Sequence, residues 1–429
     1  MSGMIGKFSY SEIAFNADGS LDETTGDGAD GLAGALAHDG ARDLFVFAHG
    51  WNVDYASARD LYQWMFSTLS DLLGDNADGC AAMGVLWPSL LFPDDQPSAA
   101  PAAPSSGAEL AKALAPAFAS PQQQNLDTIG SLLDNQPEDP DDLTRFHDLA
   151  RSLVTTPGPP DGSEDANLQA ALTGNTMALL TQAAALALPN HASAEGIDNP
   201  FDSLWKGGRE VLRAFSYYEM KNRAGVIGAQ GLGPLLATLA GSDPALNIYL
   251  MGHSFGARLV ASSLAGLPDN ATGAASQIKT LYLIQGAFSH FAFASPMPVD
   301  ASRSGLLAQY ASRVDGPFLA TFTRADRAVG TWYPTASFLQ RQDDEDVHDF
   351  MFRWEGLGHD GYQQDGTTTI TMLEPGQPYD FTARGFYNLD ANSVICADQN
   401  PFSGAHSDIR HPEVLWPLAH EAKSRRVPE

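Results

Sequence analysis

Four short stretches carry residue types that could act on one another chemically. "GHSFG" places Ser254 between Gly252 and Gly256, and "AHGWN" sets His49, Gly50, Trp51 and Asn52 directly after an apolar run. Asp326 follows "FLATFTRA", and His406 stands in "GAHSDIRHP" near the carboxyl end. A serine hydroxyl at its free pKa is a weak nucleophile. It needs an adjacent base, usually a histidine that a carboxylate orients. Backbone N–H groups must then hold the negative charge that develops on the attacked carbonyl oxygen. Together these stretches supply the parts of an acyl-transfer centre. The five-residue glycine–serine pattern alone is weak evidence in a chain with 40 glycines, so its flanks must decide.

The flanks are those of a sharp strand-to-helix turn. Asn247 to Met251 reads as a strand entering the motif, and "ARLVASSLAG" as a helix leaving it. Gly252 and Gly256 let the turn be tight and the helix pack close. Phe255 then lies at the helix start, where its N–H can face an oxyanion. The second donor is expected from the backbone N–H of Trp51, with the Asn52 side chain as an additional one. The plainer reading of this stretch is that Gly50 ends a strand.

For the acid, Asp326 follows a strand at its carboxyl end, although an aspartate there is also a common helix cap. Asp315 precedes the same strand and would sit at the wrong end. Asp300 follows "TLYLIQGA" at a distance and is the second candidate. Five histidines lie beyond Asp326. His406, in a late loop before the last helix, is the expected base, with His411 second. His411 precedes Pro412 at the start of that helix, and His420 is expected on the helix surface. His348 lies in the acidic run "DDEDVHD", and His359 in a glycine-rich turn.

Several elements must bring these residues together. "LFVFA", "AAMGVLW", "NIYLM", "TLYLI" and "FLATF" are short apolar runs typical of buried strands, and residues 8–15 alternate as a strand. "GREVLRAFSYYEMKNRAGVIG" and "GPLLATLAG" have helical spacing. Strands alternating with helices imply a mostly parallel sheet with crossover helices, in which sites lie at the carboxyl ends of strands. Residues 1–91 and 206–429 read as this α/β core. Residues 92–205 are rich in Ala, Pro, Gln and Asp and read as a largely helical insertion. Its helices are expected in "GAELAKALAPAFA", "DDLTRFHDLARSLV" and "NLQAALTGNTMALLTQAAALAL".

With 44% hydrophobic residues among 429, the chain can bury a large core. The formal charge of −28 argues against nucleic acid and anionic membrane surfaces as partners. Cys80 and Cys396 are too few for a disulfide framework and suit buried thiols in a reducing cytoplasm. No uninterrupted apolar run is long enough for a signal peptide or a bilayer span, so a soluble, cytoplasmic protein without stable membrane insertion is expected. "GAQGLG" lacks the spacing of a dinucleotide loop, and no metal-ligand spacing is present, so neither a cofactor nor a metal is expected.

The strand–HGWN loop, the GHSFG elbow, the later Asp and the final His resemble the α/β-hydrolase superfamily over about residues 40–90 and 206–424. More narrowly, "FSYYEMKNRAGVIG", "GHSFGARLV" and "LIQGAFSH" are similar to a group of uncharacterised bacterial α/β-hydrolases. The resemblance implies an acyl-serine intermediate, no cofactor, and a small ester or acyl substrate. It also implies a lid or cap role for residues 92–205, though the insertion leaves the core at an uncommon point for a lid. Acyl transfer, peptide cleavage, and a non-catalytic binding scaffold are the alternatives. The insertion could also recruit a protein partner.

Overall fold

The computed structural model describes residues 3–51, 53–89, 106–115, 118, 120–156, 174–186, 199–328, 356–397 and 403–426. In chain order the first elements are β1 (Gly3–Ile5), β2 (Phe8–Ala14), α1 (Ala29–Asp39), β3 (Asp43–Ala48), α2 (Tyr55–Leu73) and β4 (Cys80–Leu86). Helices α3 (Gly107–Leu114), α4 (Ser120–Asn135), α5 (Pro140–Arg151) and α6 (Thr176–Leu186) follow. Helix α7 (Pro200–Val226) continues through a π-helical stretch, Ile227–Leu232, into α8 (Gly233–Ser242). The rest is β5 (Asn247–His253), α9 (Phe255–Ser263), β6 (Ile278–Ile284), β7 (Phe318–Phe322), α10 (Leu357–Asp360), β8 (Thr368–Thr371), β9 (Phe386–Asp390) and α11 (Pro412–Ser424).

The strands form one nine-stranded sheet in the order β1-β2-β4-β3-β5-β6-β7-β9-β8. Among the described strands only β1 and β2 pair antiparallel; the others pair parallel. The protein is therefore α/β, with a mostly parallel sheet flanked by helices. The central strands β3, β4 and β5 are buried almost throughout, which is why they read as continuous apolar runs rather than alternating ones. Phe45, Phe47, Tyr249, Met251, Tyr282 and Ile284 share one core with Tyr62, Met65 and Phe66 of α2 and with Leu415, Trp416 and Leu418 of α11. Phe45 and Tyr249 are register partners, and their rings stack at 4.8 Å. From the other side α9 packs on β3, β5 and β6, and the π-helical stretch packs on α9.

That stretch is the "GAQGLG" segment. Its glycines serve packing: a side chain on Gly228 would run into the Leu259 carbonyl of α9. The sheet also holds strands that sequence reading passed over. β8 is four residues long and mostly exposed, and β9 carries a central Asn388, so neither shows a strong apolar run.

By its internal contacts the chain divides into two compact units, Met1–Pro88 with Arg223–Trp332 and Glu355–Glu429, and Ser89–Asn222 with Tyr333–Trp354. The division by contacts falls between Asn222 and Arg223, inside α7, which is one continuous 27-residue helix with no break at the composition change near residue 205. Among the described residues the second unit is largely helical. Glu219 of α7 anchors the end of α5 by accepting from the backbone N–H groups of Thr155 and Thr156, both at 2.9 Å. Three helices fall near the expected stretches. α4 was not expected, since its run of Gln and Asn hides the apolar spacing of Leu126, Ile129 and Leu133. Residues 167–173, the start of the third expected helix, lie outside the described residues, as does the stretch 157–166 before it. Residues Pro200–Ser242 are long and apolar enough to cross a membrane by length and composition, with half of the most apolar window buried inside the protein. Of the two cysteines, Cys80 is buried as expected, whereas Cys396 is exposed. Burial pushes the Cys80 thiol up to about 12.

Tyr62 ties the helical layer to the sheet ends. Its hydroxyl donates to the Val85 carbonyl at 2.5 Å and accepts from the His49 N–H at 3.2 Å. Removing it in Tyr62→Phe leaves two buried backbone groups without this partner. Urea unfolding should show a loss of about 1–3 kcal/mol.

Candidate active site

The site begins where β3 and β5 end side by side, with Ala48 paired to Gly252. Ser254 follows β5 with φ 57° and ψ −122°, in the left-handed half of backbone space that side chains rarely enter. The surrounding backbone holds it there. The Ser254 N–H donates to Ile284 at the end of β6, and the Ala287 N–H donates to the Ser254 carbonyl. Helix α9 starts at once with Phe255, and Ser254 does not cap it with its side chain. Gly256 makes the close approach to β3, since a side chain there would collide with the carbonyls of Ala48 and His49. Gly50 faces the serine in the same way, with a Cβ at that position lying 2.7 Å from Ser254 Cβ.

The three expected side chains meet. His406 Nε2 lies 2.8 Å from Ser254 Oγ, and His406 Nδ1 lies 2.7 Å from Asp326 Oδ2. Asp326 is fully buried, and Ser254 and His406 are nearly so. Because a carboxylate can only accept, His406 carries its proton on Nδ1, leaving Nε2 to accept the serine proton. The two loops that carry acid and base are bonded to one another. Asp326 and Gly404 form an antiparallel bridge, the Ala405 N–H donates to Ala325, and the Arg327 N–H donates to Ser403. The acid–base spacing is thereby set by backbone as well as by side chains.

The other candidates are placed elsewhere. Asp300 accepts from Ser302, at its N–H and its hydroxyl, in a local turn. Asp315 pairs with Lys279 at 2.9 Å before β7. His411 is the N-cap residue of α11 and contacts Asp408. His420 lies in α11 and is partly exposed. The 379–381 segment covers it, with the rings of Tyr379, Phe381 and Trp416 around it, and burial lowers its pKa. His359 belongs to α10, and its Nδ1 lies 3.3 Å from the Asp326 backbone carbonyl. His348 and Asn52 lie outside the described residues.

Two neighbouring histidines act as braces. His49 Nδ1 donates to the Gly50 carbonyl at 2.9 Å, while its Nε2 accepts from the Trp87 N–H at 3.4 Å. The Gly50–Trp51 peptide is trans, so pinning its carbonyl fixes the opposite direction for the Trp51 N–H. His253 Nε2 donates to the His406 carbonyl at 2.9 Å and steadies the loop of the base. Burial pushes His49 down to about 4. Burial, reinforced by the neighbouring His406, pushes His253 down to about 3. Sequence reading gave neither ring a role, because a histidine in a turn carries no mark of its bonding partner. The same holds for Gln285, whose Nε2 donates to Asp326 Oδ2 at 2.9 Å. Among the described residues no cluster of three or more His, Cys, Asp or Glu side chains stands so as to hold a metal.

No family model matches the chain, and neither a curated protein nor a solved structure matches it.

The neutral histidines have a pH signature. His253 stays uncharged in the folded state but binds a proton in the unfolded chain below its ordinary value of 6.5. The unfolded state then holds more protons, so this contribution to stability is lost as pH falls from 6.5. Denaturant unfolding of wild type and His253→Gln should converge or cross on acidification. Between about pH 6.5 and 4 the wild type should lose about 2–3 kcal/mol more than the variant.

Proposed function

We propose that this chain is a serine hydrolase of α/β-hydrolase type that cleaves a carboxylic ester or thioester through an acyl-serine intermediate. The observation that carries this reading is the continuous hydrogen-bond chain from Ser254 through His406 to Asp326, mounted on the strained turn that presents the serine hydroxyl to His406. Its residues come from three loops at the carboxyl end of one parallel sheet, where such sites are built.

In the proposed reaction Ser254 Oγ attacks the substrate carbonyl while His406 Nε2 takes its proton. Asp326 steadies the imidazolium that forms. The N–H groups of Phe255 and Trp51 hold the oxyanion, the first at the start of α9 and the second aimed by the His49 bond to Gly50. His406 then returns the proton to the departing alcohol or thiol. Water, deprotonated by the same histidine, releases the acid and restores the serine. The formal charge of −28 disfavours the approach of anionic substrates, so neutral or cationic esters are the favoured class.

Labelling with a fluorophosphonate, which reacts with base-activated serines, tests the reading. Wild type should label, Ser254→Ala should not, and His406→Ala should label at least about 1,000-fold more slowly. Undiminished labelling of Ser254→Ala would exclude Ser254 as the nucleophile, and an unlabelled wild type would favour a binding scaffold. Hydrolysis of short-chain esters and thioesters by the labelled-competent enzyme then separates the two substrate classes.

A further inference from the structure

Gln285 is fully buried directly behind the acid, and nothing in the Ser–His–Asp chemistry itself requires it. It follows β6 with φ 45°, one of four non-glycine residues with positive φ among the described residues; Ser254 is another. A long polar side chain in a strained, dry position needs a reason, since burial without full hydrogen bonding is costly.

Its bonding is complete and directional. The Gln285 N–H donates to Thr321 Oγ1 at 2.9 Å, and Thr321 Oγ1 donates back to Gln285 Oε1 at 2.9 Å. The two hydrogens of Nε2 go to the Gly358 carbonyl at 3.1 Å and to Asp326 Oδ2 at 2.9 Å. A flipped amide would press its oxygen against two acceptors, so only this orientation fits. Gly358 is itself fixed: its N–H donates to Gly286, and its carbonyl also accepts from the Thr323 N–H. Asp326 Oδ2 therefore receives two N–H groups, from His406 and from Gln285.

We infer that Gln285 is a positioning residue for the acid, setting the plane of the Asp326 carboxylate and moderating the charge that Oδ2 presents to His406. This inference rests on the triad reading of Ser254, His406 and Asp326. A donor shared on the same oxygen draws off part of the negative charge. Its removal should leave the carboxylate less well oriented and, at the same time, more strongly attractive to a protonated imidazole. Among the described residues, titratable or charged groups near the pair include His253, whose ring is 5.0 Å from that of His406, His359 beside the Asp326 carbonyl, Arg327 next to the acid, and Asp408 beyond the base. None of them is altered in the variants below.

The test is the rate of fluorophosphonate labelling of Ser254 as a function of pH, in full-length wild type, Gln285→Leu, Gln285→Glu and Thr321→Val. Folded fraction is checked by thermal denaturation. Gln285→Leu should label more slowly at its plateau, by up to about 100-fold, with the pH midpoint moved upward. Gln285→Glu, which adds an acid against Asp326, should move the midpoint further, by about one pH unit or more. Thr321→Val frees the amide without touching Asp326, and should shift rate and midpoint in the same direction by less. A purely structural role would lower the amount of folded protein and leave the midpoint where it is. Wild-type rate and midpoint in the folded variants would overturn the inference, and Thr321→Val decides the matter if Gln285→Leu does not fold. An unlabelled wild type would overturn the triad reading and this inference together, whereas a labelled wild type with unmoved variants overturns the positioning role alone.

Discussion

A serine with φ 57° and ψ −122° does not stay there unaided. Three neighbouring strands share the task of holding it. β5 delivers the chain, β6 accepts the Ser254 N–H at Ile284, and β3 stops so close that only glycine fits at position 256. Parallel pairing in register makes this possible, because it brings the carboxyl ends of β3, β5 and β6 to the same edge of the sheet. Once the elbow is fixed, the other parts of the site must be aimed at one immobile hydroxyl.

The aiming is done twice over. Side chains connect serine, base and acid in a line, and a separate layer of main-chain bonds joins the acid loop to the base loop through residues 325–327 and 403–405. Behind them stand polar groups whose donors and acceptors admit a single arrangement: His49 on Gly50, His253 on the His406 carbonyl, and Gln285 on Asp326. Buried networks of this kind rigidify when every member is satisfied, and the neutral state of His49 and His253 keeps stray positive charge away from the base.

The parts of the site legible in the sequence were those with a local grammar. A strand, a glycine-flanked serine and a helix can be read from adjacent residues, and so can an H-G pair after an apolar run. Asp326 and His406 were reachable because chain order and strand ends narrow the choice. What stayed hidden depends on partners remote in sequence. Gln285 is an ordinary residue until β7 and α10 surround it, and the partial cover over His420 comes from a loop some forty residues upstream that the periodicity of α11 does not reveal. The edge strand β8 and its neighbour β9 escaped because their residues are mixed in polarity.

The backbone bridges between residues 325–327 and 403–405 also bear on the order in which the chain is made. Ser254 and His406 are 152 residues apart, and the elbow needs nothing beyond β3, β5 and the segment from β6 to Ala287. During synthesis from the amino end, the turn can therefore form long before its base exists. Until the segment around Gly404 emerges and docks on the Asp326 loop, the hydroxyl has no histidine partner. The hydrogen-bond chain from Ser254 to Asp326 is thus closed last, by the segment that carries His406, and on the proposed reading the order of synthesis keeps the serine without its base until then.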